Sequence, residues 1–130
     1  MILVDTHVVV WLAFDQDQLS RKARAAIDDT RRNESALAIS DITLLELATL
    51  ARKERIHLDI SLETFLQEVE SRFLVLPLNG RVCARAMDLP KAYPTDPADR
   101  IIGATALVEG LHLVTADHQI RRSKAVQTIW

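Results

Sequence analysis

The stretch Met1 to Leu12, MILVDTHVVVWL, sets the reading of the whole chain. Ile2–Val4 is a short aliphatic run that stops at Asp5, and the apolar pattern resumes at Val8–Leu12. Three apolar residues followed by a polar break read as a short buried strand, and Thr6 can cap a helix that runs to about Phe14. A strand that passes directly into a helix is the opening of a βα unit. The carboxylate at the joint raises a question, because an isolated ionised acid is costly to bury. Asp5 must cap a helix, pair with a cation or hold a metal.

The same alternation continues outward from this segment. Ser20 can cap a highly charged amphipathic helix to about Asn33, and Ala36–Ser40 reads as a second strand. Ser40 or Asp41 then caps a helix reaching about Glu54. RIHLDI is a connection, and Ser61 starts SLETFLQEVESR with Glu63 and Thr64 in its first turn. Phe73–Leu78 is a third strand that closes at Pro77, and Asn79 begins a helix to about Leu89. The proline-rich PKAYPTDPADR is a loop leading into a helix from Pro97 to about Glu109, with Gly110 as its stop. Leu111–Thr115 is a fourth strand, a short helix follows from Asp117, and VQTIW closes the chain as a strand. Short apolar strands alternating with helices predict an α/β fold with a parallel sheet covered on both faces.

Composition sets limits on this picture. A chain of 130 residues, 48% hydrophobic and 26% charged, suits one globular domain over residues 1–130 with one core. No apolar run approaches the ~20 residues that span a bilayer, and no basic segment precedes the first apolar run, so neither a membrane span nor a signal peptide is expected. The lone Cys83 cannot form an internal disulfide and is expected to be a small core residue on a helix face. A reducing cytoplasm is the expected compartment. The net charge of −2 gives no global basic field for a nucleic acid. Basic residues cluster instead in SRKARAAIDDTRR, in ARKER and in QIRRSK. Each cluster reads as a solvated helix face, and two together can track phosphates.

The acids carry more chemistry. Ligands of a parallel sheet bind at the carboxyl ends of its strands. Asp5 ends the first strand, Asp117 lies just past the fourth, and Asp99 sits in the first turn of the helix after the YPTD loop. Capping alone explains several of them: Asp96 is a good N-cap with Pro97 first and Asp99 third in the helix, and Asp117 can cap the HQIRRS helix. Glu46 lies in DITLLELATLA, with no lysine or arginine within four residues on either side. It is expected to be partly buried and to lack a local partner; the ordinary alternative is a pairing with Arg100 or another basic residue from elsewhere in the fold. Taken together, a site of Asp and Glu without matching histidine or thiol suits a hard cation, Mg²⁺ or Mn²⁺, completed by water and a substrate phosphate. Such a cation acidifies bound water and favours in-line phosphoryl displacement.

VDTHVVVWL, TLLELA, YPTDPADRIIGATAL and LHLVTAD together resemble the PIN-domain nucleases, in particular the VapC-type toxins of bacterial toxin–antitoxin pairs. The resemblance covers essentially the whole chain, in order, and extends to the terminal Trp130. It implies a three-layer α/β/α sandwich around a parallel sheet and a Mg²⁺-dependent endoribonuclease site. The family's four acids match Asp5, Glu46, Asp99 and Asp117, as catalytic and metal-holding residues. Thr6, Asp96 and Thr115 match positions that support them, with Asp96 shaping the loop and helix start. The resemblance further implies an RNA substrate, a homodimer and a cognate antitoxin. The chain departs from the subgroup at Leu45, where Trp is frequent, at Ala98, where Phe is frequent, and in the Tyr93–Thr95 stretch, where His is frequent. These departures bear on RNA specificity and partner contacts.

His7 and His118 flank proposed ligands, and His7 is expected to pack in its helix more than to act as a base. Trp11 and Trp130 read as core or dimer contacts. Two other enzyme classes fit poorly: a haloacid-dehalogenase-like phosphatase needs a second aspartate where this chain has His7, and a receiver domain needs an acidic pair and a late lysine that LVTAD does not supply. The alternative outside enzymes is a catalytically inactive PIN-like module acting through protein partners.

Overall fold

A computed structural model describes all residues, 1–130. In chain order the elements are β1 (Ile2–Val4), α1 (Thr6–Phe14), α2 (Arg21–Arg32), β2 (Leu37–Ser40), α3 (Asp41–Arg52), α4 (Leu62–Arg72), β3 (Leu74–Leu76), α5 (Gly80–Met87), α6 (Pro97–Glu109), β4 (Leu113–Val114), α7 (His118–Ser123) and β5 (Thr128–Ile129). A single 3₁₀ turn, Gln16–Gln18, joins α1 to α2. The five strands form one sheet in the order β3-β2-β1-β4-β5, with every pair parallel.

Alternation along the strands divides the core. Ile2 and Val4 of β1, Leu37 and Ile39 of β2, and Val114 of β4 face one side, against Val8, Ile27, Leu47 and Phe65 of α1–α4. Leu3, Ala38 and Leu113 face the other, against Tyr93, Ile102, Ala106 and Ile120. Helix α5 packs on α6 through Val82, Ala86 and Ala104. The result is the expected three-layer α/β/α arrangement. The strands are shorter than their apolar runs, because the flanking residues carry the chain between layers after the ladder bonds end.

Local signals explain the helix boundaries. Ser20, Ser40, Ser61, Asn79, Asp96 and Asp117 each cap a helix by accepting a backbone N–H through the side chain. Helix α1 is capped by Asp5 rather than by Thr6, which is its first helical residue. Gly110 adopts φ 65°, the left-handed conformation that ends α6. The expectation for Cys83 is overturned: it lies exposed on α5, because Val82 and Ala86 form the face turned to α6.

The loop between α5 and α6 is fixed from several directions. Tyr93 is fully buried, and its hydroxyl donates to the backbone carbonyl of Asp99 at 2.8 Å. The Arg100 guanidinium donates to the carbonyls of Ala86 and Leu89 at the end of α5 and to that of Tyr93. Gln119 of α7 donates to the carbonyl of Ala92. The tyrosine ring lies against Gly103, where an added Cβ would stand 2.3 Å from the hydroxyl oxygen and 2.6 Å from Cζ. Gly103→Ala should therefore destabilise the protein by about 1–3 kcal/mol through overpacking. Combining it with Tyr93→Leu, which removes the clashing atoms, should cost less than the two single effects added. Equilibrium urea denaturation of all three variants checks this, and strict additivity would mean that the ring does not require the glycine.

Candidate active site

Order along the sheet places the crevice. The chain steps from β1 through β2 to β3 on one side and then returns to β4 on the other, so the carboxyl ends of β1 and β4 flank a topological switch point. Asp5 leaves β1 there, and Thr115 to Asp117 leave β4. Glu46 comes in from α3, and Asp96 and Asp99 from the start of α6.

Asp5 is 3% exposed and fully engaged. One carboxylate oxygen, Oδ1, accepts the Thr6 N–H at 2.8 Å, and Oδ2 accepts the Thr115 hydroxyl at 2.8 Å. The Thr6 hydroxyl donates to Glu46 Oε1 at 2.6 Å. With its proton committed there, Thr6 must accept from the Thr43 hydroxyl at 3.0 Å. A chain of threonines thus braces the first two acids from the side away from solvent. Thr115 Oγ1 also accepts the Asp117 N–H at 3.0 Å, which ties the fourth acid to the first. Asp96 Oδ2 accepts the Asp99 N–H at 3.1 Å, so Asp96 shapes the start of α6 as expected.

Charge is unbalanced in this crevice. Burial, opposed by the Thr6 hydrogen bond and assisted by the charges of Asp5 and Asp96, raises the Glu46 carboxyl above its ordinary range. Asp99 is pushed up to about 7, first by burial and then by Asp5, Asp96, Asp117 and Glu46. The ion pairs of the structure are His7–Asp5, Arg32–Asp29 and His57–Asp59, so no lysine or arginine neutralises any of the five acids. Arg100, the ordinary alternative as a partner for Glu46, is spent on backbone carbonyls.

The acids share one field without closing into a cage: no three acidic, histidine or cysteine side chains stand close enough to hold one ion by themselves. That openness and the all-oxygen donor set fit Mg²⁺, which keeps several waters and takes one or two carboxylates.

His7 has a different task from its neighbours. Its Nε2 accepts the Ala116 N–H at 2.9 Å, which leaves the ring proton on Nδ1, 3.6 Å from Asp5 Oδ2. The ring also meets Trp11 edge-on, with centroids 5.0 Å apart. The imidazole therefore ties α1 to the turn after β4, and its free lone pair is already used. His118 is exposed on α7. Three features escaped the sequence reading: the Thr43 hydroxyl, the Tyr93–Gly103 packing and the His7–Ala116 tie. For Thr43 the signal was present, since it lies three residues before Glu46 on the same helix face.

The sequence matches the PIN domain over residues 2–125. The chain belongs to the PIN-domain family, as a VapC-type member. It is 37% identical to Ribonuclease VapC22 of Mycobacterium tuberculosis, over 99% of this chain and 98% of that protein. Its fold is similar to a toxin-antitoxin complex from Klebsiella pneumoniae, with TM-score 0.63 and 25% identity over 90% of this chain and 87% of that one. It is also similar to VapBC2 from Rickettsia felis bound to a promoter DNA fragment, with TM-score 0.73 and 18% identity over 98% and 97% of the two chains.

The Asp99 shift has a thermodynamic consequence. A carboxyl raised from 3.8 to about 7 binds its proton more tightly in the folded state. Its stabilising contribution is full below the unfolded value and is lost as pH rises through the folded one. In EDTA, the melting temperature should fall as pH rises between about 4 and 7. Asp99→Asn should flatten that slope and melt higher than wild type at neutral pH. Parallel wild-type and variant profiles in calorimetry would show that Asp99 is not strained.

Proposed function

We propose that this chain is a Mg²⁺-dependent endoribonuclease and the toxin of a toxin–antitoxin pair. The observation that carries the reading is the set of five carboxylates gathered at the β1/β4 switch point with no lysine or arginine to balance them. Such an arrangement is unfavourable alone and suited to a bound divalent cation. The name of the 37% identical relative, Ribonuclease VapC22, supports RNA as substrate, and the toxin-antitoxin complex among the structural neighbours supports a cognate antitoxin as partner.

Asp5 and Asp99 would hold Mg²⁺, or Mn²⁺, with Glu46 and Asp117 completing the acidic set. What a bound cation supplies here is an acidified water and positive charge opposite the phosphodiester transition state. The chain's own residues do the positioning. Thr115 fixes one oxygen of Asp5 and the backbone of Asp117, while Thr6 orients Glu46. Asp96 holds the first turn of α6 so that Asp99 faces the crevice. No helix is long and apolar enough to cross a membrane. A cytoplasmic homodimer that slows growth by cutting RNA completes the reading.

The test is induced expression of wild type, Asp5→Asn and Asp99→Asn in a bacterial host, with new RNA 5′ ends mapped in each culture. Growth arrest with discrete new ends is expected in wild type alone. With purified protein, cleavage should require Mg²⁺ or Mn²⁺ and stop in EDTA. Thr115→Val should retain a reduced rate, roughly 10- to 100-fold down, as expected for loss of a group that orients a ligand. Arrest that survives both aspartate substitutions would remove the acids from the mechanism, and a well-expressed wild type without cleavage would leave an inactive partner-binding module.

A further inference from the structure

We infer that a groove between α3 and the start of α6 is a nucleotide subsite, which receives the RNA strand beside the scissile phosphate. The inference rests on the ribonuclease reading and deepens it. The groove has a volume of about 320 Å³ and opens directly at Glu46. Leu45, Leu50 and Ala98 give it an apolar lining, and Lys53 and Arg55 border it. That is the low end of the range for small-molecule pockets, and an apolar wall with a few charged groups is their usual chemistry.

The local fold makes this arrangement. Glu46 and Lys53 are seven residues apart, about 10 Å along the helix axis. Helix α3 ends in a reversed turn: Glu54 takes φ 57°, and the Arg55 N–H returns to the Leu50 carbonyl at 2.8 Å. The turn brings Arg55 back beside Leu50, so both cations serve the same groove while Glu54, between them, lies outside it.

Two facts favour a nucleotide over another occupant. Neither Lys53 nor Arg55 enters an ion pair, so two cations stand uncompensated at the far end of a groove whose near end is the acidic crevice. A polyanion held at the crevice by a cation needs positive charge farther along its strand, and this groove is apolar for a base and basic for its phosphates. Leu45 is 63% exposed, a large apolar side chain at the mouth of the groove and next to Glu46 in sequence. A leucine at that place offers a contact surface for the flat face of a base.

The test is steady-state cleavage of total bacterial RNA by the full chain in Mg²⁺ at several KCl concentrations. Lys53→Ala combined with Arg55→Ala should raise KM roughly tenfold with kcat little changed, and should reduce the salt dependence of kcat/KM by about 1.4 on a log–log slope, the loss of two single-strand phosphate contacts. The same charge change on α2, Arg31→Ala with Arg32→Ala, should leave both quantities near wild type. Leu45→Asp should raise KM without altering the mass measured by light scattering. Cleavage with KM and salt slope unchanged in the groove variants overturns the subsite and leaves the ribonuclease reading intact. A Leu45→Asp protein that falls from dimer to monomer, with the double alanine variant unaffected, assigns the groove to a second copy of the chain instead. Absence of cleavage by wild type overturns both the ribonuclease reading and the subsite.

Discussion

Mutual repulsion among carboxylates at the β1/β4 switch point is the constraint around which the rest of the structure is arranged. Five acids act on one another there, and none has a lysine or arginine partner. Left in water, such groups would separate. Here four of them are held by neutral donors, a backbone amide or a threonine hydroxyl, and Asp99 sits in the first turn of α6. Neutral donors orient a carboxylate without cancelling its charge, and the charge is what a divalent cation needs. An arginine in the same place would neutralise the carboxylates and stabilise the protein.

Helix capping is how the fold meets this requirement. Asp5, Asp96 and Asp117 each accept an N–H at the start of a helix, where the dipole and the free amides favour negative charge. A parallel sheet delivers helix starts to its carboxyl edge as a matter of topology. Two βα junctions therefore bring Asp5 and Asp117 to one edge without any special device, and the loop from α5 brings the start of α6, with Asp96, to the same crevice. Glu46 is the exception. It comes from within α3, has no N-terminal dipole to favour it, and relies on the Thr43–Thr6 hydroxyl chain. Its burial raises its carboxyl, and the Thr6 hydrogen bond opposes that shift.

This division explains what could be read from the sequence. The strands, helices and three capping acids were legible because each is a local pattern: an apolar run, a polar break, a capping residue. The covering of both sheet faces followed from the same alternation. The Tyr93–Gly103 contact was not legible, because it joins a loop to a helix interior and depends on the absence of a side chain. The His7–Ala116 tie was hidden for a similar reason, since its acceptor meets a backbone amide 109 residues away. Cys83 was misjudged because a short helix gives too few turns for its apolar face to be placed: Val82 is buried against α6, while its neighbour Cys83, about 100° further round α5, is exposed.

Capping by these acids also determines which substitutions can separate structure from chemistry. Replacing Asp5 by alanine removes a crevice carboxylate and an N-cap together, and cap loss alone costs about 1 kcal/mol. It also strands the Thr115 hydroxyl in a buried position, where an unmet donor is costly. Asparagine keeps an oxygen for the Thr6 amide and ranks with aspartate as a cap, while removing the charge. A folded but inactive asparagine variant would assign the loss to charge at the crevice. Glu46 needs the opposite logic. Glutamine there keeps an acceptor for Thr6 and relieves a buried carboxylate, so it should leave the protein at least as stable as wild type while weakening its hold on a cation. Gain of stability with loss of metal affinity is the mark of a residue kept for the site rather than for the fold.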